Sequence, residues 1–164
     1  AMQLKYAGDF CMRRLTLFFV FFMVAVSGVA FGVGAGRGGF ELITGEEAAS
    51  KDMPNPVYFE ITRTEGGPLI EVLSPEAGKS HKSPINIKVK FVPSGGFDID
   101  LATFKVEYMK FIAIDLTSRV KDYVSKEGID VPDAKLPSGT HTIRLSVGDA
   151  NGALTRRIFT VEVI

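Results

Sequence analysis

Cysteine is nearly missing from this chain: its 164 residues hold one, Cys11. Tryptophan is absent and histidine occurs twice, as His81 and His141. Neither sign of charge dominates, because 19 basic residues balance 19 acidic ones and no five like charges run together. Each shortage removes a class of function. With no cysteine after residue 11, the rest of the chain carries no disulfide, no zinc–thiolate site and no cysteine nucleophile. With no net charge, no global field favours nucleic acid or an acidic partner. Without tryptophan, a common platform for carbohydrate is gone. No Gly-x-Ser-x-Gly elbow, phosphate loop or His-Glu-x-x-His occurs, so the compact motifs of hydrolases, nucleotide enzymes and zinc proteases are lacking. The chain is read as non-enzymatic and without a cofactor.

What is there begins with an apolar run. Leu15 to Ala35, LTLFFVFFMVAVSGVAFGVGA, is 21 residues without a charge, preceded by Met12-Arg13-Arg14. A basic start, an apolar stretch and small residues at Gly28-Val29-Ala30 and Val33-Gly34-Ala35 make a signal peptide with two cleavage options. The same run suffices for a retained membrane helix, since about 20 apolar residues span a bilayer. The glycines at 28, 32, 34 and 36 favour cleavage, because glycine weakens a helix. Both readings keep Lys5, Arg13 and Arg14 cytoplasmic and send everything after residue 36 across the membrane. The expected location is therefore extracytoplasmic, in the periplasm or anchored in the inner membrane. Cys11 precedes the run, whereas a lipoprotein anchor cysteine follows it, so lipidation is excluded. The expected division is a signal peptide or anchor over 1–36, a linker or arm over 37–67, and a folded domain over 68–164.

The arm region carries Thr44 three residues before Glu47, the spacing of a capping box for one short helical turn. Val57, Phe59 and Ile61 alternate with polar residues, which suits a short strand. From Pro68 onward the period is two. Leu69–Leu73 is an apolar strand, and Ile85, Ile87, Val89 and Phe91 alternate with Asn86, Lys88 and Lys90. Phe104, Val106 and Tyr108 alternate with Lys105 and Glu107, and Phe111–Leu116 reads as a more buried strand. Thr117–Glu127 breaks the rhythm. Val120, Tyr123 and Val124 share one helical face, with Thr117 suited to the N-cap and Gly128 to the C-cap. Ile129 and Val131 open a brief strand. Ile143, Leu145 and Val147 alternate, as do Phe159, Val161 and Val163, and the turn Asp149-Ala150-Asn151-Gly152 joins the two sets into an antiparallel hairpin. About seven short strands with turns every 8 to 12 residues are the pattern of a β-sandwich. A domain of this size buries roughly 60–70% of its unfolded surface and stands without disulfides.

The stretches IEVLSPEAG (70–78), Ser83–Phe91 and LPSGTHTIRLSVGDANGALTRRIFTVEV (136–163) resemble bacterial immunoglobulin-like domains. Such modules place a Ser-Pro-x-x-Gly turn after the first strand, and Leu-Pro-x-Gly-x-His and Asp-x-x-Gly elements around the last two. The layout of leader, arm and one domain is also similar to exported bacterial proteins. The resemblance implies an immunoglobulin-like Greek-key sandwich; taken with the residue pattern, the expected fold is all-β, of about seven strands with one short inserted helix, preceded by an N-terminal apolar helix. It implies binding, spacing or stabilisation, and it brings no catalytic residues. The segment 115–128 departs from the pattern, so a fibronectin-like or copper-carrier-like Greek key stays open.

Several side chains are candidates for chemistry. Asp98, Asp100, Asp149 and Asn151 offer oxygen ligands for calcium, although the distal glutamate of an EF-hand is missing and turn chemistry alone accounts for Asp149 and Asn151. His81 lies in a polar loop and His141 opens a strand; a histidine paired with Met109 suits copper. Ser80, His81 and Asp98 form a hydrolytic triad only on paper. Lys88, Lys90, Arg156 and Arg157 are read as solvated strand faces or as a basic strip for an acidic partner or lipid headgroups. The leading expectation is a module acting by contact with a protein of the cell envelope. The alternatives are a copper or calcium carrier and a single-pass accessory subunit that touches the membrane through Leu15–Ala35.

Overall fold

The alternation of apolar and polar residues becomes two facing sheets. The computed structural model describes residues 40–56 and 60–164, which lie in one compact unit, Gly36–Ile164. The expected leader and membrane run, Leu15–Ala35, and the expected strand residues Val57–Phe59 lie outside the described residues. Among the described residues no helix is long and apolar enough to cross a membrane.

In chain order the elements are α1 (Gly45–Ala49), β1 (Glu60–Arg63), β2 (Leu69–Ser74), β3 (Ser80–His81), β4 (Ile85–Val92) and β5 (Ile99–Tyr108). There follow β6 (Ile114–Asp115), α2 (Thr117–Val120), β7 (Val124–Ser125), β8 (Gly128–Ala134), β9 (Gly139–Asp149) and β10 (Leu154–Val163). One sheet has the order β1-β10-β9-β5-β6, with β3 also paired to β10; the other has the order β2-β4-β8-β7. All pairs are antiparallel except β3 with β10. The fold is thus an all-β sandwich of two sheets.

The core lies between them. Ile85, Ile87, Val89 and Phe91 of β4 point inward, opposite Val106, Tyr108, Ile143, Leu145, Val147, Phe159 and Val161. Their lysine neighbours Lys88 and Lys90 face water, as period two requires. The β9–β10 hairpin is antiparallel as expected, with Ile143 opposite Phe159 and Leu145 opposite Arg157. One edge of the sandwich is stitched by side chains. Thr155 Oγ1 donates to the Pro68 carbonyl at 2.6 Å, and Arg157 donates to the Ile70 carbonyl. The two bonds satisfy carbonyls of β2, an edge strand, and of the residue just before it.

Five expectations change. Phe111–Leu116 is not a buried strand: Phe111 and Ile112 are 55% and 76% exposed, and only Ile114–Asp115 pairs with β5. The reason is the Phe111 amide, which bonds to the Lys51 carbonyl of the arm and not to a strand. The helix expected over 117–127 is one α-turn, Thr117–Val120, followed by a 3₁₀ turn, Lys121–Tyr123. Val124 then joins β8 opposite Ile129, so pairing overrides the helical spacing. Thr117 caps nothing; its hydroxyl accepts from the Val106 amide at 3.0 Å. Gly128 is no C-cap but the first residue of β8, with φ of +148°. Its hydrogen faces the Val89 carbonyl, where a Cβ would sit 1.9 Å from the oxygen. Finally, β5 begins at Ile99, five residues before Phe104, because an irregularity between Asp100 and Lys105 hides its period.

The arm is part of the sandwich. Leu42 and Ile43 are 2% and 1% exposed and belong to the core. Glu41 bridges Lys135 in parallel: Lys135 donates to the Phe40 carbonyl at 2.7 Å and Leu42 donates to the Lys135 carbonyl at 3.1 Å.

Candidate functional site

The most organised polar cluster lies where the arm crosses the sandwich. It starts with local chemistry. Thr44 and Glu47 close the capping box, Glu47 N–H donating to Thr44 Oγ1 at 3.2 Å and Thr44 N–H donating to Glu47 Oε2 at 2.9 Å. Arg119 of α2 then takes the same carboxylate in a fork, Nη1 to Oε2 at 2.7 Å and Nη2 to Oε1 at 2.6 Å. Its Nη1 also donates to the Leu42 carbonyl at 2.8 Å. The hydrogen bonds from Arg119 hold the Glu47 carboxyl at a pKa of about 2, against the cost of partial burial.

Lys110 is the second anchor. It is 5% exposed, and its Nζ donates to the Ala48 carbonyl at 2.7 Å and to Asp52 Oδ1 at 2.5 Å. Burial works against its charge, but Asp52 and the Tyr108 hydroxyl beside it outweigh that and raise its pKa. The same ammonium lies 5.2 Å from the Tyr108 ring centroid. Behind it, Tyr108 and His141 face each other from β5 and β9, both 1% exposed. Tyr108 Oη is 3.1 Å from His141 Nδ1, and His141 Nε2 is 2.7 Å from the Pro137 carbonyl. A carbonyl only accepts, so Nε2 carries the proton and Nδ1 accepts from the tyrosine. Burial, with Lys110 nearby, lowers the His141 pKa even though the Pro137 bond works the other way.

These anchors fix a loop between β5 and β6. Phe111 and Ile112 stand out from it, with Phe111 N–H bonded to the Lys51 carbonyl at 2.8 Å and Lys51 Nζ 4.6 Å from the Phe111 ring centroid. A cleft of about 210 Å³ runs beside them, lined by Ser50, Lys51, Lys110 and Ile114.

The side chains singled out from the sequence are scattered. Asp98, Asp100, Asp149 and Asn151 do come together at one end of the sandwich, since Ile99 pairs with Asp149 and Asp100 with Gly148. One oxygen of each carboxylate has a protein partner, however. Asp149 Oδ1 accepts from the amides of Asn151 at 3.0 Å and Ala153 at 2.9 Å, and Asp100 Oδ1 accepts from Ala102 at 2.9 Å. Asp98 pairs with Lys126 at 3.2 Å. No group of three or more metal-binding side chains forms among the described residues. His81 is at the other end, its Nε2 3.1 Å from the Glu76 carbonyl and its backbone beside Val163. Val163 pairs with Gly139 and Ile99 with Asp149, ten residues apart along β9. Ser80 and His81 are therefore roughly 33 Å from Asp98, at about 3.3 Å per residue, and make no triad with it. Met109 lines a cleft of about 160 Å³ together with Met53. His141 is not an edge histidine open to a metal, because both of its nitrogens are engaged.

The basic residues do not form one strip. Lys88 and Lys90 lie on the outer face of β4, where Lys88 pairs with Asp130 at 3.2 Å and Lys90 stands opposite Glu71. Arg156 is exposed on the other sheet, and Arg157 points between the sheets toward Ile70. Glu107, expected in water beside Lys105, is 7% exposed and bound by both Lys105 at 2.8 Å and Arg144 at 2.6 Å. Burial favours its neutral form, yet these two cations keep its pKa below the usual range. Nothing in the sequence marks Arg119 or Lys110 for this cluster, and Tyr108 shows only the alternation of a strand. The Thr44–Glu47 spacing marked a helix start, not a clasp, and His141 stood out as a strand histidine with no sign of its tyrosine partner.

No family model and no curated protein matches this chain. Among solved structures it is similar to a crystal structure of an engineered protein, 18% identical, with a TM-score of 0.39. The likeness covers 59% of this chain and 20% of the engineered one.

Proposed function

We propose that this chain is an exported, non-enzymatic binding module that acts by protein–protein contact in the periplasm or at the membrane. Its framework is read as an immunoglobulin-like Greek key. In support, β2 and β4 share one sheet, β5 lies in the other, β8 returns to the first, and β9 and β10 close the second. The parallel pairing of β3 with β10 suits the same scheme, in which the first strand divides between the sheets.

The observation that carries the binding role is the pair Phe111–Ile112. Two adjacent large apolar side chains stand in water at a loop tip, and the backbone beneath them is tied to the arm. A rigid apolar tip loses little entropy on binding and serves as an anchor for a pocket on a partner. The leader-like run Leu15–Ala35 supports export.

The test is a photo-crosslinking residue at position 112 in cells of the source organism, with position 82 as the exposed control. A discrete crosslinked protein at 112 and none at 82 is expected. No product at 112, or the same product at both, overturns the reading. Intact masses from the soluble and membrane fractions then separate a free module, starting near Phe31 or Gly36, from an accessory subunit that keeps Leu15–Ala35.

A further inference from the structure

We propose that His141 is an acid-operated latch: its protonation breaks the polar chain from His141 through Tyr108 to Lys110 and loosens the hold of Lys110 on the arm, releasing residues 44–53. The neutral arrangement has one sense of donation. His141 Nε2–H donates to Pro137, the Tyr108 hydroxyl donates to Nδ1, and the Lys110 ammonium lies 5.2 Å from the Tyr108 ring centroid. Imidazolium has two N–H donors and no acceptor. Its Nδ1–H would then meet the hydroxyl proton, and a second buried cation would face the Lys110 ammonium.

The surroundings do not compensate such a charge. On β9 and β10 the neighbours of His141 are Thr140, Thr142 and the apolar Val161. From β5 and the loop after it come Tyr108 and Lys110. The arm contributes Asp52 and Glu47, but Asp52 already receives Lys110 and Glu47 is held by Arg119 of α2. The Pro137 carbonyl is the one acceptor in contact with the ring's N–H. Burying an uncompensated ion is costly, so the cluster opens to admit water. The element that gives way is the arm, because Lys110 is tied to it at Ala48 and Asp52, and the Asp52 side chain is 83% exposed. Release of the arm stands whether or not Phe111 and Ile112 bind a partner.

The sign follows from linkage. A folded-state pKa below the ordinary histidine value near 6.5 stabilises the closed form above about pH 6.5, and that stability is lost as pH falls toward the folded value. Within that window the open population rises about tenfold per pH unit.

The experiment follows the His141 ring and the backbone amides by NMR in the full chain, held in detergent, from pH 7.5 to 4.5. Exchange rates are corrected for intrinsic pH dependence. The expected result is faster exchange at Ala48, Ser50 and Phe111 below pH 6.5, with the His141 ring titrating in step, while Val147 and Ile158 stay protected. Tyr108→Phe, which removes the linking hydroxyl, flattens that response. Arm protection that stays constant while the His141 ring titrates overturns the latch. So does loosening with a midpoint unrelated to His141. The titration of the unaltered protein decides the matter even if the variant fails to fold.

Discussion

Arg119 holds Glu47 in a two-point fork across 72 residues of chain, at 2.6 and 2.7 Å. That pair joins the arm to α2 and aligns the capping box of α1. Glu47→Gln keeps the shape and removes the charge. The Glu47 pKa falls from 4.5 to about 2 on folding, which corresponds to at most about 3.5 kcal/mol. Solvent at the rim of the pair reduces this to about 1–2 kcal/mol. The sign is that of a depressed carboxylate. The stabilisation is full above about pH 4.5 and disappears as pH falls toward 2. Urea denaturation at pH 7 should show the variant less stable by that amount, with the gap closing between pH 4.5 and 2. A gap that persists at pH 2 would mean that the second acceptor oxygen, which glutamine lacks, and not the charge, is what matters.

Leu42 tests whether the arm is structural. The side chain is 2% exposed against Val106, Val120, Ile129 and Leu145. Leu42→Ala should cost about 2–5 kcal/mol, the range for a truncated core leucine. A linker residue would cost less than about 0.5 kcal/mol. Thermal unfolding of the full chain distinguishes the two.

Gly128 has no room for a side chain. At φ of +148° its added Cβ would lie 1.9 Å from the Val89 carbonyl oxygen. Backbone strain and the steric clash together make Gly128→Ala destabilising by about 3 kcal/mol or more. Gly45, with nothing within 4 Å, is the control: Gly45→Ala at the first position of α1 should be neutral or slightly stabilising in the same assay.

Asp149 is expected to act as a turn residue. Its Oδ1 accepts two amides that close the β9–β10 turn, one of them buried. Asp149→Ala should cost about 1–3 kcal/mol with no calcium present. Millimolar calcium should leave the melting temperature of the unaltered protein in place. A rise of several degrees would restore the carrier reading, because a ligand that binds only the folded state stabilises it.

Phe111 and Ile112 carry the opposite expectation for stability. Both are exposed, so Phe111→Ser with Ile112→Ser should change stability by less than about 1 kcal/mol while abolishing the crosslink from a neighbouring position. Loss of folding instead would make the pair structural.

The sequence by itself determined the two-sheet character, because period two is a local property. Ile85 to Phe91 bury every second side chain wherever their partners lie, and the apolar members of Ile143 to Val147 face the core in the same way, although Ser146 on the other face of β9 is covered too. It also determined the β9–β10 turn, whose Asp149 and Gly152 satisfy their own backbone, and the capping box at Thr44. Tertiary structure decided what depends on neighbours distant in the chain. Val124 left a helical pattern because β8 offered it a ladder. Phe111 left a strand pattern because the arm took its amide. Glu107 and Arg157 read as surface charges yet became buried or inward-facing, since Arg144 and the Ile70 carbonyl lie 37 and 87 residues away. The clasp of Glu47 with Arg119 and the contact of Tyr108 with His141 are of the same kind. Local periodicity sets which face a residue takes, but a polar group inside the fold is stable only once a distant partner satisfies it.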